Sequence, residues 1–123
     1  MAITAEFKVE DDVLYVTASG RDDSINDPLQ YGAAIIEQAL THQSKRVLVD
    51  ERELIYVIAT FDLYETAKVM AENATQVVKA ALVVNPAQVK DAQFWETVAV
   101  NRGLDVHLFT DIDEAKKWLG LDG

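Results

Sequence analysis

No cysteine occurs among the 123 residues of this chain. That absence removes disulfides, thiolate zinc sites, iron–sulfur clusters and thiol nucleophiles together. Glycine is scarce: Gly20, Gly32, Gly103, Gly120 and Gly123 are scattered, and form neither a phosphate loop, nor a dinucleotide fingerprint, nor a nucleophile elbow. His42 and His107 are the two histidines, and neither has a second histidine at helical spacing with which to hold a metal or share a proton. No apolar run approaches the roughly 20 residues that a membrane-spanning helix needs. The opening MAITAEFKVEDD is neither basic nor followed by an apolar stretch, so no secretory leader is expected and a cytoplasmic location is read. The triplet Asn73-Ala74-Thr75 therefore carries no glycosylation meaning.

Positive charge is also in short supply, with 11 basic against 21 acidic residues and a formal net charge of -10. The mean field repels phosphate backbones and anionic lipid, so neither a nucleic-acid partner nor membrane insertion is expected. Apolar residues are plentiful, at 50% with 26% charged, the profile of a folded domain rather than a disordered segment. Residues 1–123 fit one domain.

Two runs of period two, Ile3 to Val9 and Val13 to Ser19, are separated by little more than Asp11 and Asp12 and predict an antiparallel hairpin. Asp27 before Pro28 predicts a helix entry, and Leu29, Ala33, Ile36 and Leu40 supply an apolar stripe through about His42. Residues 46–50 (RVLVD) and 80–84 (AALVV) are short, continuous and apolar, as in strands protected on both faces. Between them a helix is predicted over about 60–74, with Leu63, Ala67, Met70 and Ala74 on one stripe, and Tyr64 and Ala71 beside it. A third helix follows over about 88–102, closed by Gly103. Val106 to Phe109 read as a last strand, and Ile112, Ala115, Trp118 and Leu119 as the buried stripe of a terminal helix. The expected class is α/β, one mixed sheet in the order β-β-α-β-α-β-α-β-α.

Asp111, Asp113 and Glu114 supply enough oxygens to hold a hard cation, but they also fit a helix first turn, where carboxylates receive free amides and meet the positive end of the helix dipole. Capping is the expectation, with no metal and no other cofactor. His42 and His107 are read as surface or structural. In open α/β sheets ligands collect beyond the carboxyl ends of parallel strands. That rim is expected to hold Asp50, Glu51 and Arg52 after one strand, Asn85 and Pro86 after the next, and Thr110 and Asp111 after the last, faced by Thr60. If every helix lay on one side of the sheet, the other would expose Val13, Tyr15, Val47, Val49, Ala81, Val83, His107 and Phe109 or their alternates, more apolar area than a soluble monomer usually shows. Either the helices divide between the faces, or a partner or apolar ligand covers the bare one.

The order of elements, the strand end Val47-Leu48-Val49-Asp50, and above all FWETVAVNRGLDVHLFTDIDEAKKWL over 94–119 resemble the SpoIIAA-like group of bacterial proteins, related in fold to STAS domains and compared with Sec14-type lipid carriers. The likeness spans about residues 3–120 and is strongest where N-R-G, F-T-D and A-x-x-W-L recur as a set. It implies a right-handed superhelix of strands and helices. In the STAS branch an anti-sigma factor antagonist is switched by phosphorylation in an Asp-Ser-Ser-Gly motif; Ile58-Ala59-Thr60-Phe61 stand at that place here, leaving Thr60 as the one hydroxyl. The resulting expectation is a non-enzymatic domain that binds a protein partner or itself as a homodimer, through the sheet face or the rim of Asp50, Arg52, Thr60, Tyr64, Asn85 and Thr110. The alternative is a carrier or sensor of a small apolar ligand held by Tyr56, Tyr64, Met70, Phe94 and Trp95.

Overall fold

The computed structural model describes residues 3–21, 26–55 and 60–121, the side chains of 60–63 excepted. Five strands, β1 (Ile3–Glu10), β2 (Val13–Arg21), β3 (Arg46–Ile55), β4 (Lys79–Val84) and β5 (Val106–Phe109), form one sheet in the order β1-β2-β3-β4-β5. Only β1 runs antiparallel, paired with β2 from Ile3↔Gly20 to Glu10↔Val13. The connection is two residues long because Asp11 takes the left-handed conformation at φ 55°, a role usually left to glycine that aspartate tolerates.

Helices α1 (Asn26–His42), α2 (Thr60–Asn73) and α3 (Val89–Asn101) connect the parallel strands, and α4 (Ile112–Trp118) ends the fold. A 3-10 turn, Pro86–Gln88, precedes α3. The first three helices share one face, where Ile35, Ala39, Ala67, Ala71, Ala92 and Ala99 meet Leu14, Val16, Val47, Val49, Leu82 and Val84. Sequential strand order with crossovers on one side winds the chain steadily in one direction. The helix residues at this contact are mostly alanine, which lets the helix backbones approach the sheet closely.

On the opposite face α4 alone lays Ala115 and Leu119 over Leu48, Ala81 and Val83. The helices therefore divide between the faces, which resolves the alternative posed by the sequence against a bare apolar sheet. Beyond the reach of α4, the same face of β1 carries the exposed Thr4, Glu6, Lys8 and Glu10. Val47 and Val49 belong to the three-helix side and not with Ala81 and Val83. The buried positions of α1 are Gly32, Ile35 and Ala39, whereas Leu40 is 56% exposed. The expected stripe was rotated from the true one because hydrophobicity favours leucine where close packing on a sheet favours small residues. Asp27 also lies inside the first turn rather than ahead of the helix, where its charge still opposes the helix dipole favourably.

The short α4 is fastened at both ends. Asp111 Oδ1 accepts the Asp113 and Glu114 amides at 2.8 and 3.4 Å, so that carboxylate serves as the N-cap. At the other end Arg46 Nη1 donates to the Leu119 carbonyl at 2.8 Å and Lys79 Nζ to that of Trp118 at 2.9 Å, two cations from the starts of β3 and β4 at the negative end of the helix. Arg46 also grips both oxygens of Asp12 at 3.2 and 2.7 Å, tying the hairpin turn to α4. His107 packs against Trp118 and Phe109, with ring centroids 4.9 and 5.8 Å apart. At the sheet edge, Glu96 of α3 accepts the Leu108 amide at 2.7 Å, covering a donor that an edge strand otherwise presents to other chains.

Hydrogen bonding from Arg46 holds the Asp12 carboxyl below its ordinary range. A depressed carboxylate stabilises the fold above the unfolded value and loses that contribution as pH falls through the folded one. Acid unfolding followed by circular dichroism is expected to show Asp12→Asn less stable than the parent at pH 6 and equal to it near pH 2. Replacement of the half-buried Trp118 by alanine uncovers part of the α4 contact, and is expected to cost about 2–4 kcal/mol in urea unfolding.

Candidate functional site

The rim does not have the shape that strand lengths read from the sequence imply. β3 does not stop at Asp50 but runs on to Ile55, so Asp50, Glu51 and Arg52 lie within a strand rather than after one. β4 and β5 end level with Glu51 and Asp50, through the pairings Glu51↔Val84 and Asp50↔Val83↔Phe109. From Arg52 to Ile55 β3 continues with β2 alone, a ribbon that stands about 13 Å beyond its neighbours at the usual rise per residue. The carboxyl end of the sheet is a step.

A β-bulge sits at the foot of that step. Asp50 is opposite Thr17 and Glu53 opposite Ser19, which leaves Glu51 and Arg52 together across from Ala18. Alternation along β3 sends Val47, Val49 and Glu51 toward the three-helix side, and Leu48, Asp50 and Arg52 toward the α4 side. The extra residue then reverses the parity, so that Leu54, aligned with Gly20, again points inward and is buried at 3% exposure. Alternation alone thus divides the Asp50-Glu51-Arg52 run between two environments, and the bulge returns Leu54 to the inner one.

On the outer side Arg52 folds back onto Asp50, its Nε and Nη2 donating to the two carboxylate oxygens at 2.9 and 2.7 Å while its backbone amide donates at 3.2 Å. The hydrogen bonds from Arg52 hold the Asp50 carboxyl below its ordinary range. Hydrogen bonding to Asp50 raises the Arg52 guanidinium above its ordinary value, with smaller contributions from the charges of Glu53 and Asp111; Asp111 itself is occupied as the cap of α4. Asn85 and Thr110, both exposed, follow β4 and β5 on the same rim. Asn85 is occupied as the cap of the 3-10 turn, its side-chain oxygen accepting the Ala87 amide at 2.9 Å.

The remaining expected positions are not gathered there. Thr60 begins α2, but its side chain lies outside the described residues, as do Ile58, Ala59 and Tyr56. Tyr64 is at the seam of α2 and α3, where Arg102 donates to its hydroxyl and lies 5.7 Å from its ring centroid. Phe94 is 37% exposed. Of the residues expected to hold an apolar ligand, Met70 and Trp95 do line a partly open cavity of about 100 Å³ between the sheet and the helices. Glu51 and Thr66 line it too, at 7% and 4% exposure. The sequence does not mark either as an interior group: DERE looks like the end of a strand and puts Glu51 on the rim, although the alternation Val47, Val49, Glu51 carries its inward direction. Among the described residues no cluster of three histidine, aspartate or glutamate side chains is placed to hold a metal ion, and no helix is long and apolar enough to cross a membrane.

No family model and no curated protein matches the sequence. Solved structures do match the fold. An anti-sigma factor antagonist from Mycobacterium paratuberculosis superposes with a TM-score of 0.60 at 15% identity, covering 97% of this chain and 95% of that one. An uncharacterised protein of the DUF3478 family with a SpoIIAA-like fold, from Shewanella loihica PV-4, superposes with a TM-score of 0.57 at 19% identity, covering 96% and 94%.

The pair at the foot of the step gives a checkable consequence. Asp50 contributes stability above the ordinary carboxylate range that disappears as pH falls through its lowered value. An Asp50→Asn, Arg52→Gln double-mutant cycle in urea is expected to show favourable coupling at pH 6 and none near pH 2. With the topology, the coverage and both superpositions in agreement, the chain has a SpoIIAA-like fold.

Proposed function

We propose that this chain is a non-enzymatic regulatory domain that acts by binding another protein, and that the partner presents basic residues to the step at the carboxyl ends of β4 and β5. The observation that carries the reading is the pair of Asp50 and Arg52 on an otherwise acidic rim. Asp50 consumes the guanidinium in a bidentate pair, while Glu53 of the same strand and Asp111 of the turn after β5 add negative charge to that end of the sheet, so the rim keeps a net negative charge. Asn85 and Thr110 supply polar edges beside it. An acidic step of this kind steers a basic surface and fixes its register. Two copies of a chain with formal charge -10 repel one another, so the rim suits a different protein better than a homodimer. The likeness to an anti-sigma factor antagonist over 97% of the chain supports a role in protein recognition.

The test is affinity capture with the full chain, followed by calorimetric titration of the captured protein at 50 and 300 mM salt. Saturable binding that weakens with salt, and that Glu53→Lys weakens at least tenfold, is the expected result. No saturable partner, or one indifferent to both salt and Glu53→Lys, overturns the proposal. A second reading, binding of a small apolar ligand, is supported by the partly open, mainly apolar cavity between the sheet and the helices.

A further inference from the structure

The two edges of the sheet are finished differently. β5 is four residues long, and Glu96 takes the amide of Leu108 on it. β1, at the other edge, is eight residues long and pairs with β2 without a register shift from Ile3 to Glu10. Of the devices that keep an edge from pairing, namely shortness, proline, a bulge, a covering element and charge, β1 uses only charge among the described residues. That charge is confined to one face: Glu6, Lys8 and Glu10 are exposed, whereas Ile3, Ala5, Phe7 and Val9 are half-buried on the three-helix side.

The two-residue connection makes Glu10 and Val13 a hydrogen-bonded pair, and such pairs recur at every second residue of an antiparallel ladder. Thr4, Glu6, Lys8 and Glu10 therefore spend their backbone groups on β2. The N–H and C=O groups of Ile3, Ala5, Phe7 and Val9 point out of the sheet, toward a strand that this chain does not supply among the described residues. Nor does β2 account for the alternating charge, since Glu6 faces Thr17, Lys8 faces Tyr15 and Glu10 faces Val13. Within β1, Lys8 lies 3.5 Å from Glu10 with both side chains more than half exposed, a pair that solvent screens and that is readily exchanged.

A second β1 laid antiparallel on this edge must meet the outward groups with its own, which sets odd residues against odd ones. With Phe7 opposite Phe7 of the second copy, Glu6 lies opposite Lys8 and Lys8 opposite Glu6, while Thr4 meets Glu10 and Ala5 meets Val9. The charged pairs fall at non-hydrogen-bonded sites, where facing side chains come closest, and opposite charges directly across two strands attract. Sliding the partner by two residues sets Glu6 against Glu6 in one direction and Lys8 against Lys8 in the other. On the inner face the apolar row that already packs at the margin of the main core continues into its counterpart.

We infer that β1 is the contact of a homodimer, in which two copies pair antiparallel along this edge about a two-fold axis at Phe7 and the two sheets join into one. The occupant is a second copy because the order Glu6-Phe7-Lys8 is complementary to itself, as an isologous contact requires. The formal charge of -10 per chain opposes association at long range, but at about 0.15 M salt the screening length is roughly 8 Å, and the adjoining pairs decide. The inference goes beyond the acidic-rim reading and leaves that rim open in both copies.

The experiment is sedimentation velocity on the full chain in about 0.15 M salt. Concentrations run from about 10 µM to about 1 mM, because one strand pair is smaller than the roughly 1,200 Å² of a standard interface and associates weakly. A reversible monomer–dimer equilibrium is expected. Lys8→Glu and Glu6→Lys, each of which sets like charges opposite one another, should weaken it at least tenfold, and an equimolar mixture of the two variants should dimerise again because each supplies the charges the other lacks. Phe7→Pro, which deletes an outward N–H that no bond within the hairpin uses, should abolish the dimer with an unchanged far-ultraviolet circular dichroism spectrum; if that variant does not fold, the charge variants and their mixture decide. Glu53→Lys, on the rim, should not weaken the dimer, which separates this outcome from that of the partner reading. A chain that stays monomeric at the highest concentration, a dimer indifferent to Lys8→Glu and Glu6→Lys, or a mixture of those variants that fails to associate overturns the inference.

Discussion

The alternation of β3, with one extra residue set opposite Ala18, is the constraint on which the two faces at the carboxyl end of this sheet depend. A regular strand would put Glu51 and Glu53 on one face and Arg52 and Leu54 on the other. With the bulge, Leu54 returns to the interior with Glu51 while Arg52 stays outside on Asp50. An acidic rim and a carboxylate-bearing cavity therefore arise from neighbouring residues of a single strand, divided by the thickness of the sheet. The same bulge falls where β4 and β5 end, so the β2–β3 ribbon leaves the sheet as a two-stranded extension, and two-stranded ribbons twist more strongly than full sheets.

Around that strand the rest of the fold is an arrangement for covering a sheet unequally. Three crossover helices with alanine-rich contacts lie on one side, and one helix of seven residues lies on the other. So short a helix gains little from its own hydrogen bonds, since nucleation is costly. Its stability comes from what holds its ends, Asp111 at one and Arg46 with Lys79 at the other, and from Trp118 packed among His107, Phe109 and Lys79. Polar residues on β1 dispense with a second helix on that face.

Much of this was legible in the residues. The switch from period two to continuous apolar runs and then to helical spacing marked every strand and helix, and Asp111 was recognisable as a cap because two further acids follow it in the first turn. The length of β3 was not legible, because residues 50–53 are all charged and charge in a strand interior reads as a strand end unless its neighbours are known. The buried face of α1 escaped for a related reason: Leu29 and Leu40 outrank Gly32 and Ala39 in hydrophobicity, and only the closeness of the sheet reverses that order. Strand order and the cavity are properties of the packed chain, with no local signal. The resemblance drawn from residues 94–119 anticipated the SpoIIAA-like fold, although those residues hold α3, β5 and α4 together and touch the cavity mainly through Trp95, Leu104 and Val106.

The division of Glu51 from Arg52 is the claim that most needs direct measurement. Nuclear Overhauser contacts on a methyl-labelled sample report which side chains share the interior. The account predicts contacts from the Glu51 side-chain protons to the Leu54, Ile35 or Met70 methyls, and none from Arg52 to those groups. Contacts from Arg52 to the interior methyls, or a Glu51 side chain with none, contradict it.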